Sequence, residues 1–150
     1  MRLVAVMLIN LSLVFIPNWP TSPIDTKARL FDVISGSNWE DAMARMDNYA
    51  IQLQNETAAI GVIIVYGGQY GRRDEPQAWG KCLRDYLINR RGINTDRIVL
   101  LNGGYRESLT AEMWESASKE YTPTLQPTID AKKVRFRKGK IKNWRSLCNI

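Results

Sequence analysis

Ile60-Gly61-Val62-Ile63-Ile64-Val65-Tyr66 is the stretch that decides the fold. It is almost wholly β-branched, and Gly67-Gly68 closes it. A strand with one wet face alternates apolar and polar residues. This one does not, so it reads as a central strand covered on both faces. Downstream, Gly67-Gly68-Gln69-Tyr70-Gly71 reads as a flexible turn, followed by Arg72-Arg73. The next helix is expected near Asp74, which can cap it, with Pro76 in the first turn and Gln77 at the reciprocal capping position. Its apolar stripe is Ala78, Trp79, Cys82, Leu83, Tyr86 and Leu87. Gly92 supplies the stop, just after Arg90 and Arg91, whose charge suits a helix C-terminus.

Arg97 to Leu101 reads as a third strand. Asn102-Gly103-Gly104 is a turn signal, so Tyr105 to Trp114 is expected as a fourth strand paired to the third in a hairpin. Upstream, Ser37-Asn38-Trp39-Glu40 has capping-box spacing, and a helix is expected from there to about Gln54. Met43, Met46, Ala50 and Leu53 give it one apolar face, read as core. Ala28 to Ile34 is a further strand. The order β-α-β-α-β-β implies an α+β fold: a two-layer sandwich, with a mixed sheet and two helices on one face.

The chain has 150 residues, 45% apolar and 24% charged, which suits one small domain. It contains no histidine. Ser-His-Asp and Cys-His catalysis are therefore excluded, and so is any His-containing zinc site. No pair of carboxylates is set apart for acid–base work, and Ser108 and Thr110 lack a base. The expectation is a protein that is not an enzyme, with no cofactor and no metal.

Residues 1–23 read as a signal peptide or an N-terminal anchor. Met1-Arg2 is the basic start, and Leu3 to Ile16 is an apolar run shorter than the roughly 20 residues a spanning helix needs. Pro17, Pro20 and Pro23 follow, without an Ala-x-Ala-like triplet. The mature protein is then expected to be periplasmic or secreted, with no membrane span after cleavage. Residues 24–115 form the folded domain. Residues 116–130, with Pro123 and Pro127 among Ser and Thr, read as a linker, and 131–150 as a basic tail. In an oxidising compartment Cys82 and Cys148 either form a bridge or remain a buried and a free thiol.

The charge is unevenly placed. The net charge is +6, yet Lys132, Lys133, Arg135, Arg137, Lys138, Lys140, Lys142 and Arg145 all lie in the tail, which has no acidic residue. Such a tail either solvates the terminus or is drawn to polyanions, here anionic lipid headgroups or wall polymers. Nucleic acid is not expected as a partner of an exported protein. Val134 to Arg137 is a candidate edge strand.

The element order, together with Leu83-Arg84-Asp85-Tyr86-Leu87 and Arg91-Gly92-Ile93-Asn94-Thr95-Asp96-Arg97-Ile98, resembles the OmpA-like C-terminal domains. The turn Gly103-Gly104-Tyr105-Arg106-Glu107 is similar to that family's Gly-Tyr-Gly-Glu turn. The likeness covers about residues 30–115. It implies a non-catalytic, envelope-associated domain whose relatives bind peptidoglycan with an Asp after the second strand and an Arg early in the second helix. Here those positions fall near Gly68 or Gln69 and near Ala78 or Trp79, so the usual ligands are missing. Trp cannot supply the fork that grips a carboxylate. The resemblance is thus to a divergent member, with a modified or lost pocket.

The candidate ligand-binding residues are Gly67, Gly68, Gln69, Arg72, Arg73 and Asp74 in the loop, and Tyr105 and Arg106 in the later turn. The glycines would let backbone N–H groups face outward beside two arginines, for a carboxylate or a phosphate. The plainer reading is a strand-to-helix turn with solvated arginines, with Asp74 as the helix cap. Trp79 is expected in the core, and Trp39 at a more open position. The partner is an anionic envelope polymer such as peptidoglycan, or an envelope protein engaged by the tail.

Overall fold

A computed structural model describes residues 28–148. The signal-peptide or anchor segment lies outside them. The elements are β1 (Arg29–Ser35), α1 (Trp39–Asn55), β2 (Ile60–Gly68), α2 (Glu75–Asp85), β3 (Ile98–Arg106) and β4 (Thr110–Ser116). The sheet order is β1-β4-β2-β3; β2 pairs parallel to β3, and β4 runs antiparallel between β1 and β2. The fold is α+β with a mixed four-stranded sheet and two helices. Among the described residues no helix is long and apolar enough to cross a membrane.

β2 is the buried centre, with Val62 to Tyr66 all out of contact with water. Ile63 and Val65 face both helices. There they join Met46, Tyr49 and Leu53 of α1, Trp79 and Leu83 of α2, and Met113 of β4 in one core cluster. Trp39 is buried after all, edge-on to Trp79 at 5.6 Å and to Tyr86 at 5.8 Å. Asn38, not Ser37, caps α1, accepting from the Glu40 and Asp41 amides at 3.0 and 3.3 Å. The far end of α1 is closed by Arg97, whose guanidinium donates to the carbonyls of Leu53, Glu56 and Ala59. These carbonyls lie at and just beyond the helix end, where partners within the helix run out.

α2 continues through a wider turn over Tyr86–Arg90, where the Arg91 amide reaches the Tyr86 carbonyl. Gly92 then ends it at φ +70°, a conformation that suits glycine. The Gly92 amide donates to Ile88 and the Ile93 amide to Leu87, which returns the buried Ile93 to the core. Tyr86 and Arg91 both donate to Asp47 on α1, tying the two helices together.

The expected hairpin between the third and fourth strands does not form. β2 lies between β3 and β4, and Asn102-Gly103-Gly104 sits inside β3. Val65 pairs with Asn102 and Tyr66 with Gly104, so Gly103 is a bulge. A Cβ there would come within 2.7 Å of Tyr66 Cζ and nearer still to other ring atoms. The glycines therefore serve a close approach, not a reversal. Tyr105 and Arg106 remain in β3, and the chain reverses at 107–109. The Glu107 carbonyl accepts there from Gln69, and the Leu109 carbonyl from Gly36.

The other face of β2 carries Val62, Ile64 and Tyr66, with Val99, Leu101 and Trp114 against them. Of residues 116–130, expected as a linker, Ser116 ends β4 and 117–129 run back along this face as a strap. At one end Ser116 Oγ lies 2.8 Å from the carbonyls of both Ser118 and Tyr121, which share its one proton. At the other end the Gln126 amide donates to the Tyr66 hydroxyl, and the Thr128 and Ile129 amides donate to the Tyr105 carbonyl. Pro123 is buried between.

Gly103→Ala should destabilise the fold by about 1–3 kcal/mol, because the added methyl meets a fully buried ring. A lower urea midpoint at unchanged slope is the expected reading. An unshifted midpoint would mean that the ring moves aside freely. Burial, reinforced by the charge of Glu115, pushes the Tyr49 phenol far above its usual range. The unfolded chain releases that proton near pH ~10 while the folded chain keeps it, so stability is complete below that pH and falls as pH rises. Tyr49→Phe should flatten this alkaline decline, as measured by urea titrations at successive pH values.

Candidate functional site

The carboxyl ends of β2 and β3 bring the two groups of candidate residues together. Gly67 pairs with Tyr105 and Gly68 with Arg106. Gly67 has no room for a side chain: a Cβ would lie 2.7 Å from Pro76 and 2.8 Å from the Tyr105 ring. The loop then runs over Gln69–Asp74 into α2.

The loop does not offer the expected array of outward amides. The Gln69 amide donates to Glu107, and the Gly71 amide to Gly68. It is the carbonyls that face outward, and residues 130–148 cover them as a belt. Arg135 N donates to Gln69 O at 2.9 Å, and Arg137 N to Gly71 O at 3.0 Å. Phe136, between them, stacks edge-on against Tyr105 with ring centres 5.6 Å apart. The Arg73 guanidinium lies over the same ring at 4.4 Å. Asp74 stands at the start of α2 but makes no side-chain cap. Its Oδ2 instead accepts from the Ile141 amide of the belt at 2.8 Å.

The belt ends against α2. Trp144 and Leu147 pack on the helix-side core, and Cys148 is bonded to Cys82 with Cα atoms 5.9 Å apart. Asp130 and Asn143 each cap a short turn by accepting from a nearby amide. The segment expected as a basic tail is therefore held from Arg135 to Cys148. Ile141, Trp144 and Leu147 carry the apolar signal for this docking, and the eight cations around them mask it.

Arg106 is drawn to the opposite face. It donates to Glu112 at 2.6 Å and to the Gln126 carbonyl at 3.2 Å, and it lies 3.6 Å above the Tyr66 ring. Glu112 also accepts from Trp114 Nε1 at 3.0 Å and from the Tyr66 hydroxyl at 3.2 Å. Burial, first among its causes, raises the Tyr66 pKa and keeps the phenol a donor. This cluster latches the strap and leaves Arg106 committed within the protein.

Gly68, Gln69, Ala78 and Trp79, the residues expected near the wall-binding pair, carry no charge. A Cβ at Gly68 would meet the Leu109 amide nitrogen at 3.0 Å, and both Ala78 and Trp79 are buried. What the site presents is positive charge. Arg72, Arg73 and all eight basic residues of the belt are exposed, and none of them has a carboxylate within ion-pairing distance among the described residues. No protein-family model matches the chain, and no curated protein matches it.

The Cys82–Cys148 link closes a loop with a sequence separation of 66. Confining the unfolded chain in this way stabilises the fold by about 4 kcal/mol in the loop-entropy account. Cys148→Ser should lower the unfolding free energy by an amount of that order and make the 131–147 region sensitive to trypsin. A variant as stable and as resistant as the parent would show that the belt docks without the bond.

Proposed function

We propose that this is an exported, non-catalytic protein of the cell envelope, built on a divergent OmpA-like domain. It holds an anionic envelope component, peptidoglycan or another polymer, against the basic belt. The observation that carries the reading is the set of eight exposed cations, without a carboxylate partner among the described residues, on a segment pinned by a disulfide and by backbone hydrogen bonds. A free tail loses conformational entropy when it binds; a docked one has already lost much of it. The OmpA-like assignment rests on the order of elements and on the Leu83–Ile98 string. Several residues of that string do work in the scaffold: Leu83, Tyr86 and Leu87 fill the core, Gly92 turns the chain and Arg97 closes α1.

A second reading takes an acidic protein as the partner. Tyr70, 53% exposed between Gln69 and Gly71, favours it, since aromatics beside arginines recur at the centres of protein interfaces.

Sedimentation with purified sacculi tests the first reading. The full chain should be retained at low ionic strength and released as salt shortens the screening length to about 3 Å near 1 M. Reversing the belt charge at Lys138, Lys140 and Lys142 to Glu should weaken retention without unfolding the protein. A folded, oxidised protein that stays in the supernatant at low salt would overturn the wall-binding reading.

A further inference from the structure

We propose that Arg72, Arg73, Arg135 and Arg137 form one composite site for the phosphate groups of an anionic polymer. This deepens the function proposed above and rests on it. Two hydrogen bonds bring the four residues together: the Arg135 amide sits on the Gln69 carbonyl and the Arg137 amide on the Gly71 carbonyl. Phe136 lies between those two arginines and carries the Arg73 guanidinium over its ring. Two arginines of the loop thus meet two of the belt across a gap of more than sixty residues in sequence.

Five arginines elsewhere in the fold are committed to oxygen atoms. Arg29, Arg45, Arg91 and Arg106 each hold a carboxylate, and Arg97 holds three carbonyls. The four at the loop are exposed and have no carboxylate partner among the described residues. Like charges gathered without partners repel one another, and this opposes docking of the belt. The docking is held by backbone bonds, the Phe136 contact and the Cys82 link, none of which uses a guanidinium hydrogen-bond donor. Among the described residues those donors have no hydrogen-bond partner, and an oxyanion bound to them would relieve the repulsion.

The choice of cation narrows the ligand. All four residues nearest the loop are arginine, while the lysines of the belt flank them at 132–133 and 138–142. A guanidinium fork matches paired oxygens, and an ammonium group acts as a point charge. A planar carboxylate takes a fork only in its own plane, whereas the oxygens of a tetrahedral phosphate accept from several directions, which suits arginines that arrive from two separate segments. The large apolar side chains of the belt, Phe136 and Trp144, pack inward and leave little to enter a bilayer, which favours a polymer over a membrane.

Fluorescence anisotropy of the full, oxidised chain against inorganic polyphosphate and against polyglutamate of matched charge tests the site. Polyphosphate should bind about tenfold tighter or better. Arg72→Ala/Arg73→Ala and Arg135→Ala/Arg137→Ala should each weaken it roughly tenfold, and Lys140→Ala/Lys142→Ala distinctly less. Arg72→Lys/Arg73→Lys, which keeps the charge, should recover only part of the loss. Equal affinity for polyglutamate would overturn the phosphate assignment. Equal losses from the lysine and arginine pairs, or full recovery with lysine, would reduce the site to diffuse charge and overturn it. Binding to phosphatidylglycerol vesicles without binding to polyphosphate would overturn the polymer. Sacculus retention undiminished in the fourfold arginine variant would sink this site and leave the belt reading standing, whereas absent retention of the parent protein sinks that reading itself.

Discussion

Ile63 and Val65 point to one side of β2 and Val62, Ile64 and Tyr66 to the other, and neither set reaches water, so the chain must supply two covers for one strand. The first cover is α1 with α2, a sizeable apolar cluster formed from both helices. The second is the strap, a thin irregular segment that has no helix or strand of its own. Irregular backbone over an apolar face is costly unless its polar groups find partners. Tyr66 and Arg106 meet that need from below by bonding the Gln126 amide and carbonyl. The largely buried Glu112–Arg106 pair is best understood in this role, because such a pair contributes little to stability by itself and can fix where a neighbour sits.

Where periodicity and local chemistry agree, the architecture was legible in the sequence. The β-branched run of β2, the stripes of α1 and α2 and the Gly92 stop all stand where the residue pattern puts them. The hairpin failed because Asn-Gly-Gly is also what a strand needs when a tyrosine ring presses on its neighbour, and only the pairing partner decides between the two. The cap at Asp74 failed for a similar reason. A carboxylate at a helix start accepts whichever amide is nearest, and that amide came from a segment far away in sequence. Strap and belt were hidden by composition. Prolines, serines and lysines mark chain that cannot build its own core, but they do not prevent it from lying on someone else's.

The candidate site was half visible. The loop and its arginines stand out in the sequence, as does the pairing of Cys82 with Cys148 as one of two options. That Tyr105 abuts Gly67 follows only from the parallel register of β2 and β3. Arg106, next along the strand, faces the other way, as alternation along a strand requires. One residue of offset sets Tyr105 beside the loop and leaves Arg106 held against Glu112 and Tyr66.

The belt is held at Arg135 and Arg137 by main-chain atoms, and main-chain atoms are the same for nearly every residue type. Mutation can therefore exchange those two side chains while the docking stays intact, provided proline is avoided. Natural selection can tune what this surface recognises without reopening the question of whether the protein folds.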